Sequence, residues 1–238
     1  MSGFIKQTVK KIPVVGPFLR RAAGFMQKRP VFVTSGQYWE DRYRVGGNSG
    51  AGSYNQLARF KAEVLNELVR INGVQSVTEF GSGDGAQLEL ARYPKYIGVD
   101  VSKQAVKICC GLHKYDKTKT FYHTTEQPAD IQSDLTLSLD VIYHLVEDEV
   151  YEAYMRQLFG AAKRFVVIYA SNENRSWPDL HVRHRKFTDW TEKKATHWAL
   201  DQFIKNEFPY DERDPRNTSF ADFYIFIRDK IDHSRELP

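Results

Sequence analysis

Cysteine is nearly absent from this chain. Cys109 and Cys110 are the only two in 238 residues, and as sequence neighbours they cannot easily bridge one another. Adjacent thiols with no partner elsewhere fit a reducing, cytoplasmic protein and offer no metal site. Long apolar runs are missing as well: none reaches the roughly 18 residues that a membrane-spanning helix needs. Acid is missing from the start, with no Asp or Glu before Glu40. There is no low-complexity segment and no internal repeat.

Hydrophobic residues make up 42% of the chain and aromatics 13%, enough for a sizeable core in one domain of ordinary length. The net charge of +4 is unevenly placed. Lys6, Lys10, Lys11, Arg20, Arg21, Lys28 and Arg29 are seven cations ahead of the first acid, so the rest of the chain carries −3. A slightly acidic body argues against a nucleic-acid partner, because phosphate binding needs a basic face on the domain itself. The basic segment is interrupted by Pro13 and Pro17, and its apolar stretch "IPVVGPFL" is too short for a secretory core, so it does not read as a signal peptide. Residues 1–30 suit peripheral contact with an anionic membrane at the inner face of the cytoplasmic membrane, and equally a solvated arm. Three regions follow: a basic arm over 1–36, a lid loop and helix over 37–73, and a core over 74–238.

The loop "GGNSGAGS" precedes Leu57, Phe60, Val64, Leu65, Leu68 and Val69 at helical spacing, with Ser53 and Gln56 in the form of a capping box and Gly73 as the stop. From residue 74 the pattern alternates. "VQSVTEF", "YIGVDVS", "KTFYHTT", "LTLSLDVIYHL" and "RFVVIYAS" read as strands, and "AQLELARY", "SKQAVKICCGLHKY" and "EDEVYEAYMRQLFGAA" as helices. The last third adds a helix and two strands, the final one, residues 220–228, having the alternation of an edge strand. Strands and helices in alternation predict an α/β fold, a mostly parallel sheet covered on both faces.

In such sheets, ligands sit beyond the carboxyl ends of the strands. "EFGSGDG" places Gly81, Gly83 and Gly85 there, spaced G-x-G-x-G instead of the G-x-G-x-x-G of a dinucleotide loop. Glu79 stands two residues before the first glycine, where it would repel a pyrophosphate and suit a cationic group. Asp100 ends the second strand, 21 residues after Glu79, where an acid typically accepts two ribose hydroxyls. A free ribose with a cationic tail and no phosphate describes S-adenosylmethionine.

"VTEFGSGDG" followed by "YIGVDVS" resembles the first two motifs of class I S-adenosylmethionine-dependent methyltransferases. The resemblance covers roughly residues 55–230. It implies a Rossmann-like sheet of seven strands, mostly parallel, with helices on both faces and the last strand antiparallel. It also implies that Gly81, Ser82 and Gly83 pass under the methionine moiety, Glu79 lies near its ammonium, Asp100 holds the ribose and Val101 lies against the adenine. For the adenine-edge acid both Glu126 and Asp130 are candidates. Tyr38 and Trp39 are expected in a lid over the cofactor.

The segment after the fourth strand, which in this family borders the reactive methyl, holds Asp140, Tyr143 and His144. "HVRHRKF", after the fifth strand, adds His181, His184 and Arg185. A hydroxyl acceptor needs a base, and the three histidines are candidates, with Asp140 next in order. Tyr143 and Arg185 are candidate substrate contacts. His181 and His184 have no carboxylate set to make a metal site. The (N/D)-P-P-(Y/F) loop of many amine methyltransferases is absent. "YW…GGNSGAGS", "SLDVIYHLVEDEVYEAYM" and "HVRHRKFTDW" together resemble bacterial methyltransferases associated with surface polysaccharide and glycan assembly, which implies O-methylation of a sugar or glycan acceptor. A protein or natural-product acceptor, and a non-catalytic cofactor-binding role, stay open.

Overall fold

A computed structural model describes residues 32–229, so all but the last five residues of the expected arm lie outside the described residues. The strands are β1 (Val77–Phe80), β2 (Tyr96–Asp100), β3 (Lys119–His123), β4 (Ser133–Leu139), β5 (Ala162–Ala170), β6 (Trp198–Ile204) and β7 (Asp222–Arg228). The helices are α1 (Ser35–Arg44), α2 (Asn55–Ile71), α3 (Lys103–Leu112), α4 (Asp148–Gly160) and α5 (Thr188–Lys194).

The strands form one seven-stranded sheet in the order β3-β2-β1-β4-β5-β7-β6. β1 pairs in parallel with β2 and β4, and β7 runs antiparallel to both β5 and β6. The alternation predicts a mostly parallel α/β sheet, and the seven strands with an antiparallel last one are the Rossmann-like arrangement that the resemblance implies. Leu65, Leu68 and Cys109 bring α2 and α3 onto one face with Val77, Leu137 and Tyr169. Tyr151, Met155 and Leu158 bring α4 onto the other, against Phe80, Val166 and Ile168. All four residues of β1 are buried, Thr78 and Glu79 included, as expected for a central strand covered on both sides.

Four local expectations need correction. The final strand is not at the edge. Phe223 and Ile225 enter one core and Tyr224 and Phe226 the other, so β7 is inside the sheet and β6 is the exposed edge. "AQLELARY" makes only a short 3₁₀ turn, Gln87–Leu90, because the Asn66 side chain takes the Leu90 carbonyl and the Arg92 amide and leads the chain away extended. The capping box does not form. Ser53 lies in a 3₁₀ turn, Tyr54 precedes α2 without a side-chain cap, and the Gln56 amide reaches the Asn217 carbonyl instead. Finally, residues 37–44, "QYWEDRYR", expected within the lid loop, are part of helix α1, which starts at Ser35 in the expected arm and is capped by Thr34. Its buried side chains are Ser35, Tyr38 and Tyr43, a stripe with no aliphatic residue to signal it.

Candidate functional site

The parallel strands β1, β2 and β4 end on the same side, and a cavity of about 480 Å³ opens beyond them. Its walls come from the turns after these strands, from Trp39 and Tyr43 of α1, from Ser49 and Ser53 of the glycine-rich loop, and from Val150 and Ala153 of α4. Glu79, Gly81, Ser82, Gly83, Asp100, Val101, Asp140 and His144, distant in sequence, all line it.

The turn after β1 demands glycine. Gly81 and Gly83 have φ of +85° and +59°, and a Cβ on either would come within 2.4 Å of Val141 or 2.3 Å of Ser49. The turn is tied to β2, because the Gly83 amide donates to Asp100 Oδ2 and the Ser102 amide to Oδ1, each at 2.8 Å. Burial pushes the Asp100 carboxyl up to about 6 against the pull of these two amides. Glu79 accepts from the Tyr96 hydroxyl at 2.7 Å, and its burial raises it to about 7. The hydroxyl of Ser82, buried in the same turn, has no hydrogen-bond partner.

After β4 the chain reverses through Asp140, which holds the left-handed φ of +60°. Its Oδ2 accepts from Lys61 of α2 at 2.6 Å and its Oδ1 from the Tyr143 hydroxyl at 2.8 Å. Gly52 packs on this pair so closely that a Cβ would lie 2.5 Å from Oδ2. Lys61 also sits over the Tyr169 ring, 5.3 Å from its centre. The 3₁₀ turn Ile142–His144 follows. His144 Nδ1 lies 3.0 Å from the His181 carbonyl, which can only accept, so Nδ1 carries the proton and Nε2 the lone pair. Burial pushes this histidine down to about 4. Trp39 meets it edge-on at 4.9 Å.

The other candidate residues lie outside the cavity lining. His181 stacks between Tyr38 at 4.2 Å and His144 at 5.5 Å. His184 is buried against Tyr143, Trp177 and Phe220, with Nδ1 2.6 Å from the Ser171 hydroxyl. Arg185 is engaged by the Leu145 and Val146 carbonyls and by Asp148. Tyr143 reaches the site through Asp140. Glu126 and Asp130 are exposed beyond β3, where Thr124 is the residue that lines the cavity. Among the described residues no set of three His, Cys, Asp or Glu side chains is arranged to hold a metal ion.

Two participants were not read from the sequence. Lys61 occupies the buried face of α2 in line with Leu57 and Leu65, and a lysine inside an apolar i, i+4 stripe was the available signal. Asp84, in the glycine turn, accepts from the Ser49 amide and hydroxyl and from the Tyr54 hydroxyl, closing the loop 46–53 over the cavity.

The sequence matches no protein-family model and no curated protein. Solved structures do match in fold. The N-methyltransferase NodS from Bradyrhizobium japonicum WM9, in complex with S-adenosyl-L-homocysteine, is similar with a TM-score of 0.64 at 14% identity, over 83% of this chain and 100% of that one. Magnesium protoporphyrin IX methyltransferase (ChlM) from Synechocystis PCC 6803 with bound SAH gives 0.56 at 14%, over 79% and 93%. The methyltransferase domain of bacterial CtHen1 gives 0.56 at 18%, over 71% and 97%. The fold is that of class I S-adenosylmethionine-dependent methyltransferases.

Proposed function

We propose that this chain is an S-adenosylmethionine-dependent methyltransferase acting on a hydroxyl of a sugar or surface glycan. One observation carries the cofactor reading: a glycine turn at the end of β1 is fastened to an acid at the end of β2, on a cavity that His144 also lines. The residues present fit that molecule. The unpartnered Ser82 hydroxyl lines the cavity between Gly81 and Gly83, whose left-handed turn brings the backbone itself to the cavity wall. Glu79 and Asp100 give this end of the cavity an acidic character that suits a cation and would repel a pyrophosphate. NodS and ChlM, which share the fold, are described with SAH bound.

In this reading Gly81, Ser82 and Gly83 support the methionine moiety, Glu79 faces its ammonium, Asp100 receives the ribose hydroxyls and Val101 flanks the adenine. When bound, the cofactor supplies an electrophilic methyl group on a sulfonium. The chain's own task is then alignment, exclusion of water and removal of one proton. His144 Nε2 takes the proton of the acceptor hydroxyl, with the ring held in the correct tautomer by the His181 carbonyl. Asp140 has one oxygen engaged by Lys61 and the other by Tyr143. That makes it the support of this turn and His144 the base. Trp39 and the loop closed by Asp84 shield the reacting centre.

The acceptor rests on sequence features: the absent N-methylation loop, the acidic body and the resemblance to glycan-assembly methyltransferases. The basic residues 1–30, on this proposal, keep the enzyme at an anionic membrane surface near lipid-linked sugars; no described helix is long and apolar enough to cross a membrane. The test is incubation with methyl-labelled S-adenosylmethionine and fractionated cell-envelope glycans, alongside protein and small-molecule fractions. Label in a glycan as a methyl ether supports the proposal. Label confined to protein or small molecules overturns the acceptor, and a protein that binds no S-adenosylmethionine overturns the whole reading.

A further inference from the structure

The cavity is lined by three buried or nearly buried carboxylates, Glu79, Asp100 and Asp140, and by one buried cation, Lys61, whose side chain is 1% exposed. Burying an ammonium is costly unless its donors are used. Lysine has three N–H donors. One goes to Asp140 Oδ2 at 2.6 Å, and a second is accounted for by the face of Tyr169, 5.3 Å away. A donor remains on a group that lines the cavity. Close by, the Gln87 amide nitrogen donates to the Ala58 carbonyl, three residues before Lys61 on α2, while its buried Oε1 has no hydrogen-bond partner. Gln87 lines the cavity too, as does the equally unpartnered Ser82 hydroxyl. The cavity lining therefore offers an unused cationic donor on α2 together with unused neutral acceptors on the glycine turn and the segment that follows it.

We infer that Lys61 is the carboxylate anchor of the cavity and that, with Gln87 Oε1, it selects a ligand ending in a zwitterionic amino-acid tail. The ligand carboxylate accepts from Lys61 Nζ, which stays bonded to Asp140, and the ligand ammonium, facing Glu79, gives one of its three N–H donors to Gln87 Oε1. Asp140 thereby holds the lysine in place instead of meeting the ligand, which explains why an acid at this point of the cavity does not repel a carboxylate. The inference deepens the proposed function and rests on it, since the ligand bearing this tail is the cofactor. Lys61 is a binding residue in this scheme and takes no proton.

The experiment compares three ligands by calorimetry: S-adenosylmethionine, its decarboxylated form, and 5′-methylthioadenosine, which lacks the whole tail. Wild type is expected to favour S-adenosylmethionine over the decarboxylated form by at least tenfold. Lys61→Met should bring that ratio close to one and leave 5′-methylthioadenosine affinity within about twofold, and Lys61→Arg should restore part of the preference. Because Lys61→Met strands Asp140, the double variant Lys61→Met/Asp140→Asn is measured beside it, with circular dichroism to show that it is folded. A folded double variant that keeps the wild-type ratio overturns the inference, as does one that loses all three ligands equally. If wild type binds 5′-methylthioadenosine and S-adenosylmethionine but does not distinguish the decarboxylated form, Lys61 is no anchor although the cofactor reading stands. If wild type binds none of the three, both fall together.

Discussion

The Gly83 amide donates to Asp100 Oδ2 at 2.8 Å, so the glycine turn after β1 and the end of β2 are a single hydrogen-bonded unit. Asp100 has a second task in the proposed function, the ribose. Charge-assisted hydrogen bonds contribute about 1.5–3 kcal/mol each. Asp100→Ala is expected to weaken S-adenosylmethionine binding at least tenfold and to loosen the turn, while Asp100→Asn, which keeps one acceptor, should lie between. Calorimetry on both variants checks this. Wild type that bound NADH and neither S-adenosylmethionine nor its demethylated product would contradict it.

Glu79 makes stability depend on pH. Burial lifts its carboxyl from 4.5 to about 7, so between those values the folded state keeps a proton that the unfolded chain has released. Its contribution to stability therefore falls as pH rises through that window, by on the order of 3 kcal/mol. His144 acts oppositely. It is lowered from 6.5 to about 4, and its contribution is lost as pH falls through that range. Comparing Glu79→Gln with wild type isolates the first effect. The melting temperature of the variant relative to wild type should climb from pH 5 to pH 8, and a constant difference would mean that Glu79 is ionised throughout.

His144 is the proposed base. His144→Ala should lower turnover on the hydroxyl acceptor by about 10²–10⁴ with cofactor affinity nearly unchanged. His184→Ala and His181→Ala, outside the cavity lining, should cost much less. The acid limb of the wild-type rate profile should fall near the lowered value of His144, about 4, and not near 6.5. Turnover and S-adenosylmethionine affinity measured for all three variants decide the matter. Activity lost only together with cofactor binding would make His144 structural.

Asp84 latches the loop 46–53 through the Ser49 amide and hydroxyl and the Tyr54 hydroxyl. Asp84→Ala should release the loop, speed proteolysis within it and raise the cofactor dissociation rate several-fold, with the core melting nearly as before. In wild type, hydrogen exchange of the loop should slow when cofactor and acceptor are both bound. Exchange that ignores both ligands would remove the loop from any lid role.

Much of this protein was legible in local sequence. Strands with buried Val, Ile, Leu and Phe alternating with helices fix an α/β sheet, since both periodicities are read from neighbours only a few positions apart. The spacing of Glu79, Gly81, Gly83 and Asp100 was informative because a strand end followed by a tight turn leaves few conformations, and those need glycine. Packing decided the rest. β7 is interior because β5 and β6 both pair with it, a choice between distant partners that alternation along one strand cannot express. "AQLELARY" has helical pattern, yet Asn66, from another element, ends it after one turn. α1 forms on two buried tyrosines and a Ser35–Glu147 contact 112 residues apart. His144 comes to the cavity while His184, next to the arginine bonded to the α4 start, is turned into an aromatic cluster. Lys61 meets Asp140 across 79 residues. Those pairings exist only once the chain has closed around the cavity, and so only the tertiary structure could reveal them.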